Sequence, residues 1–462
     1  APAEFMETHP YDDMLMDFGR YVIQKGDYLS VKPVKRRYPE FGTSRDRVTL
    51  RISDGKKNGL PPLMRAHAGP YNADREEAVK EFIEWTKKLS DAGLLDVLSV
   101  GASQLSQEMF GEEWGGRPNG GGVPVNSAEE YRAIADAARP MLVRTYAGTK
   151  NRRRLAEMYE ETMNMAWHAL PFWWFSELDG RGPYDVPENL ADNFDALDFA
   201  VSSGKPVEPN VPHHFSFRGA DDTTYVVSAY LTAKAAKKRG LNELILQTML
   251  NDPKYTWGVN DIAKARSSLK LVKTLEDENF RVYLQPRAGL DYLSHDTDKA
   301  MAQLAGVTAL MDDIEAQNIY SPDIIHVVSY SEGRHLATPD VINESVQITR
   351  RALEIYRELK RKGEIPDMSA DADVRERTGY LTENALAVIN EIEKSVKEPY
   401  SPEGFYQIFK DGYLPVPHLM YLRDEFPEAV RWKTKIKNGS VDVYRNGSLL
   451  TPRERTALLK YR

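Results

Sequence analysis

From about residue 60 the chain alternates short, nearly continuous apolar runs with long amphipathic stretches. The runs are Leu60–Ala66, Leu94–Val100, Met141–Tyr146, Pro171–Glu177, Val211–Phe217, Glu243–Leu250, Phe280–Pro286 and Ile324–Tyr330. Short runs rich in β-branched, aromatic and leucine side chains are what strands buried on both faces look like. A polar loop and a helical pattern follow each run, near 74–92, 126–138, 151–169, 187–203, 222–239, 260–278, 296–318 and 340–362. Val79, Phe82, Ile83 and Leu89 carry the helical spacing, with Asp74 placed to cap the start and Gly93 to end it. Parallel strands need crossovers of this kind, so the pattern predicts a parallel sheet. Eight units in succession predict a TIM-type (β/α)8 barrel over 60–362; an open doubly wound sheet is the competing arrangement.

The flanks break the pattern. Residues 1–59 form an N-terminal extension with a strand-like stretch Arg47–Ile52, and Ala1–Phe5, ahead of Met6, read as a cloning remnant. Residues 363–462 read as a C-terminal α+β appendage, with a helix near 380–397 and two short strand-like runs over 434–450. Asn-Gly at 438–439 and again at 446–447 predicts tight hairpin turns there.

Composition narrows the chemistry. The 462 residues are 41% hydrophobic, enough for a sizeable core, and carry a net charge of −8. That balance argues against nucleic acid or a membrane surface as main partner. No apolar run nears 18 residues and no secretory leader is visible, which with the absence of cysteine suits a reducing cytoplasm. The same absence excludes disulfides, cysteine-ligated metal and cysteine nucleophiles.

Barrel enzymes build their sites where strands end. Those ends read Met64–Gly69, Arg144–Thr149, Ser176–Tyr184, His213–Gly219, Gln285–Gly289 and Ser331–His335. Arginines from separate strands suit a carboxylated substrate, held by paired charge-assisted hydrogen bonds, and a carboxylate among them suits an ammonium or a proton. The strand-end histidines His67 and His213 join the substrate-binding candidates. As neighbours in a strand, His213 and His214 point to opposite faces, so no metal site is expected there. The stretch Gly115–Gly122 lies in the second strand-to-helix loop, where it can admit a phosphate or cofactor or act as a lid. Walker, dinucleotide, G-x-S-x-G and H-E-x-x-H signatures are all missing.

In order and spacing these strand ends resemble adenosylcobalamin-dependent carbon-skeleton mutases, in particular the large (epsilon) subunit of glutamate mutase. Leu63–Gly69 is similar to that family's Q-P-R-A-G turn. Pro140–Arg144 followed by Arg154–Glu157 is similar to its P-L-Q-A-R…L-L-A-E stretch, and Ser176–Gly180 with Tyr184 to its N-E-G-G-G…Y loop. His213–Gly219 leads into Tyr225–Arg239 and Leu241–Leu250 as the family's fifth strand leads to its sixth. Asp296 to Thr338 follows the last crossover, including Ala302–Ala309 and Ser331-Glu332. Parts of the chain equally resemble the alpha subunits of cobalamin-dependent aminomutases.

The resemblance implies an isomerase in which Arg65 and Arg144 grip substrate carboxylate, Glu177 meets the amino group and Tyr184 lies beside it. It implies adenosylcobalamin, with Glu332 toward the adenosyl ribose and Arg334, Gly121 and Gly122 as further cofactor contacts. There are departures. The family has an arginine after its second strand, whereas Ser99–Phe110 contains none, so the substrate lacks a second carboxylate or presents it differently. The family's eighth-strand lysine has no evident counterpart near Ser329. No D-x-H-x-x-G cobalamin signature occurs, so the resemblance implies a hetero-oligomer in which a separate small subunit brings the cofactor. Two other readings stay open: a cofactor-independent barrel lyase or hydrolase using Glu177, Asp179 and His213, and a non-catalytic scaffold barrel.

Overall fold

The computed structural model describes residues 8–459. Its strands are β1 (Leu63–Ala68), β2 (Val97–Val100), β3 (Leu142–Arg144), β4 (His168–Leu170), β5 (Val207–Pro209), β6 (Glu243–Leu250), β7 (Arg281–Ala288) and β8 (Ile324–Val327). They form one sheet in the order β3-β2-β1-β8-β7-β6-β5-β4. The first and last strands pair in parallel, Leu63 with Ile324 through Ala66 with Val327. An open doubly wound sheet has no such pairing, so the chain is a (β/α)8 barrel. At the remaining seam Ala166, just ahead of β4, donates its N–H to Val143 O of β3 at 2.8 Å.

By its contacts the chain divides into two units. One is Met14–Ala169 with Tyr283–Pro366; the other takes, of the described residues, 8–13, Leu170–Val282 and 367–459.

In the first unit, strand alternation sets the chemistry. Met64, Ala66 and Ala68 of β1 are buried on one face, and Arg65 and His67 alternate onto the other. The helices return as expected: Arg75–Ala92 is capped by the Asp74 carboxylate, which accepts from Glu77 N–H, and ends on Gly93 at φ 63°. Helix Ala128–Ala138 starts with a capping box from Ser127 and Glu130. Below the strands, Asp96 gathers several groups. Its carboxylate accepts from Met64 N–H at 2.9 Å and from Arg36 Nε at 3.2 Å, and Arg350 Nη2 lies at 3.9 Å. Arg51, paired with Asp46 at 2.7 Å, donates to the Asp96 carbonyl at 3.2 Å.

The stretch Arg47–Ile52 is not a strand. Val48–Asn58 is a helix, because Val48, Arg51, Ile52 and Gly55 make one buried face at helical spacing and Gly59 ends it in the left-handed region. Two barrel strands also fall elsewhere than expected. The run Pro171–Glu177 lies just past β4 as a turn, since Phe172 (φ 50°) and Phe175 (φ 60°) leave the extended region. Val211–Phe217 lies past β5, with Pro212 at the first turn of a short helix, Pro212–Ser216. The true strands, His-Ala-Leu and Val-Glu-Pro, bury His168 and Glu208 and so show no continuous apolar run.

In the second unit the appendage folds as β9 (Lys433–Lys437), β10 (Ser440–Arg445) and β11 (Ser448–Leu449), antiparallel in succession. Both Asn-Gly pairs turn with positive φ, 49° and 66° at Asn438-Gly439, 52° and 83° at Asn446-Gly447. The hairpin and the last helix are tied down by buried ion pairs: Arg377 to Asp222 and Asp442, and Arg455 to Asp221 at 2.8 Å. The helix expected over 380–397 runs Ala372–Ser395, starting eight residues earlier.

The Asp96 node generates a prediction. Asp96→Ala leaves buried guanidinium groups facing no carboxylate there, and is expected to cost about 3–5 kcal/mol in urea unfolding. A loss below about 1 kcal/mol would mean that Arg36 and Arg51 are held in place by their other partners.

Candidate active site

Arg65 sits in β1 with His326 of β8 as its register partner, and His326 is in turn opposite Arg287 of β7. His67 pairs with Ser99 of β2, and Ser99 with Arg144 at the end of β3. Barrel interiors are ordinarily filled by branched apolar side chains. On this side of the barrel the register instead lines up three arginines, two histidines and a serine.

Arg65 is fully buried, and two of its bonds go to neutral acceptors: Nε donates to Ser99 Oγ at 2.7 Å and Nη1 to Gln285 Oε1 at 3.0 Å. Its guanidinium carbon stands 5.4 Å from the Trp167 ring centre. Arg144 is equally buried and lies 5.4 Å from the Tyr146 ring, which stacks on His67 at 5.7 Å and 16°. His67 Nδ1 and His326 Nε2 are 3.0 Å apart. Both imidazoles are held well below the usual histidine range, first by loss of solvation and then by the positive charges of Arg65, Arg144 and Arg287. The two rings are therefore neutral in a strongly positive environment, which favours an anion.

The turn after β8 adds a carboxylate. Glu332 Oε1 accepts from Ser329 N–H at 2.8 Å, and burial raises its pKa despite that bond and the charge of Arg287. Ser329 Oγ is buried beside that carboxylate. Arg334, two residues beyond Glu332, is exposed. In the glycine loop, Gly122 (φ 90°) has a structural cause: its backbone packs against Gly101, and Val123 N–H donates to Gly101 O at 2.8 Å. A side chain at Gly121 would meet nothing within 4 Å, so that position is open.

In the other unit, Glu177 starts a single 3-10 turn and its side chain is exposed; its N–H donates to the carbonyl of the half-buried Tyr184 at 2.9 Å. The buried acid of this loop is Asp179, which takes Arg218 Nη2 at 2.6 Å and Ser176 N–H at 3.1 Å. Arg218 also lies over the Trp174 ring at 4.3 Å. His213 and His214 do not alternate across a strand. They share the short helix, both buried, with ring centres 4.4 Å apart, and His213 Nδ1 is 3.4 Å from Gln247 Nε2. The loop's left-handed Phe172 is anchored by Asn193, whose Oδ1 accepts from Phe172 N–H at 3.0 Å and whose Nδ2 donates to Phe172 O at 3.1 Å. Bulky residues in that region mark backbone held under strain by its surroundings.

Arg65, Arg144 and His67 are thus brought together by one unit. Arg287, Gln285 and Ser99 were visible near strand ends without being assigned a role, and His326 was missed. Its signal is a single polar residue within Ile324-Ile325-His326-Val327-Val328, on the alternating face shared with Arg65. Among the described residues no group of three or more histidine, aspartate or glutamate side chains is arranged to hold a metal ion, and no helix is long and apolar enough to cross a membrane.

No protein-family model matches the chain, and no curated protein matches it. Among solved structures, the spore coat polysaccharide biosynthesis protein spsE from Bacillus subtilis is similar over 68% of this chain and 73% of its own, at 11% identity and a TM-score of 0.37.

The neutral histidines predict a pH signature. Their folded pKa values lie below the unfolded value of about 6.5, so their contribution is complete above it and is lost as pH falls. Below pH 6.5 the unfolding free energy should drop by up to ~1.4 kcal/mol per pH unit for each histidine. His67→Phe/His326→Phe should flatten that component in urea titrations at pH 7 and 5. Equal slopes in both proteins would contradict neutral imidazoles.

Proposed function

We propose that this chain is the large catalytic subunit of an adenosylcobalamin-dependent radical mutase that rearranges an amino-acid-like or carboxylic acid. The observation that carries the reading is the register that lines up Arg65, Arg144 and Arg287, from three strands, with His67, Ser99 and His326. A carboxylate there replaces its water shell with charge-assisted hydrogen bonds, about twice as strong as neutral ones. Ser99 and Gln285 fix the Arg65 fork before substrate arrives, so little side-chain entropy is lost on binding. Trp167 and Tyr146 keep apolar surface against the two guanidinium groups and limit water beside the bound acid.

The turn after β8 fits the adenosyl group in the chemistry of its side chains. The Glu332 carboxylate and the buried Ser329 hydroxyl beside it are an acceptor and a donor of the kind a ribose diol asks for. When bound, the cofactor supplies homolytic radical chemistry that no side chain provides. In this reading a small D-x-H-x-x-G cobalamin-binding subunit is its carrier. The family has an arginine after its second strand and Ser99–Phe110 contains none, which supports a substrate other than a simple dicarboxylate.

The acid–base alternative has less support. Asp179 is engaged by Arg218 and by Ser176 N–H, and Glu177 is exposed to solvent.

Calorimetry with a panel of short carboxylic acids tests the clamp. Arg65→Ala and Arg144→Ala are each expected to weaken the bound acid about 10- to 100-fold, the worth of a hydrogen bond to a charged group. Unchanged affinity in both would remove the carboxylate reading. Adenosylcobalamin should bind this chain weakly alone and tightly with a small D-x-H-x-x-G protein. With a turning-over acid, electron paramagnetic resonance should then reveal cobalt coupled to an organic radical. Tight binding by the isolated chain would count against a shared cofactor, and silence across the panel against radical chemistry.

A further inference from the structure

We propose that His326 positions the ring tautomer of His67, and that His67 Nε2 recognises an uncharged hydroxyl or carbonyl group of the acid held by the strand-end arginines. The proposal rests on the carboxylate reading above and names the substrate class more closely: a hydroxy or oxo acid.

The pair's geometry allows one proton between its nitrogens. At 3.0 Å, His67 Nδ1 and His326 Nε2 are within hydrogen-bond reach, and two neutral rings share that bond in one of two ways. If His67 Nδ1 donates, its Nε2 is a bare acceptor; if His326 Nε2 donates, His67 Nε2 carries the proton and becomes a donor. Rotating or removing His326 therefore changes what His67 offers on its far side. Tyr146, stacked on the His67 ring, holds the plane in which that nitrogen points.

His67 Nε2 is buried and has no hydrogen-bond partner among the described residues. A buried polar atom of this kind is costly unless something satisfies it. Arg65, Arg144 and Arg287 surround the pair with positive charge, so an ammonium group is disfavoured as its partner. A second carboxylate matches the arginines better than a neutral ring nitrogen, which offers one uncharged hydrogen bond. A hydroxyl suits either tautomer, because it both donates and accepts; a carbonyl suits only the donor form.

The test uses the full chain with 15N-labelled histidine and three acids: propionate, 2-hydroxypropionate and 2-oxopropionate. Magnetic resonance should detect coupling between the two histidine nitrogens across a shared proton. The His67 Nε2 signal should move with at least one of the substituted acids and stay with propionate. The wild type should prefer that acid over propionate by about three- to tenfold, the worth of one neutral hydrogen bond. In His326→Phe that preference should vanish while propionate still binds; His326→Gln, which retains a side-chain amide, should keep part of it. Missing nitrogen–nitrogen coupling would overturn the positioning role. Equal affinities for the three acids, or a preference untouched in His326→Phe, would overturn the recognition role. If no acid binds although the coupling is present, the carboxylate clamp itself fails and this proposal goes with it. Should His326→Phe not fold, the wild-type spectra and titrations still decide.

Discussion

The parallel pairing of β1 with β8 is the constraint on which the site depends. It joins the two ends of the strand series, and in doing so sets Arg65 opposite His326, with Arg287 one strand further. A slip of one residue in that register would turn every inward side chain of β1 outward. Arg65 and His67 would then face the helices, and Met64, Ala66 and Ala68 the interior. The register is held from below by side chains that bond strand backbone: Asp96 to Met64 N–H, and Asp323 to Leu284 N–H at 2.7 Å.

The two ends of these strands follow different electrostatic rules. At their beginnings, guanidinium and ammonium groups meet carboxylates directly, as in Arg51–Asp46 and Lys56–Asp323 at 2.6 Å. At their ends, Arg65 donates to a serine hydroxyl and a glutamine carbonyl beside two histidines that are kept neutral first by burial and then by the neighbouring guanidinium charge. Opposite charges joined at close range stabilise and leave little field. Barrel folds separate a stability face from a chemical face in this way.

Legibility differed by element, for physical reasons. The six strands that carry continuous apolar runs, and the helices between them, follow from periodicity and caps such as Asp74 and Gly93, because both signals are local. The hairpin turns are legible for the same reason, since Asn-Gly takes the backbone conformation the turn needs. β4 and β5 were displaced because their own residues include the buried polar His168 and Glu208, while the apolar runs beside them are bent by Phe172 and by Pro212. Arg65, Arg144 and His67 were legible as strand-end residues; His326 was not, since its neighbours are all apolar and its partner is 259 positions away.

Taken alone, the sequence determined the alternation of strand and helix, the chemical types available at the strand ends, and the lack of any cysteine chemistry. Hydrophobic period, capping and turn preference act over a few residues, so the order of residues suffices to specify them. The tertiary structure decided that the sheet closes, which strand neighbours which, and that three arginines surround one pair of histidines. Those outcomes depend on register between distant segments and on the loss of water around the side chains that meet there, and neither is a property of any short stretch of chain.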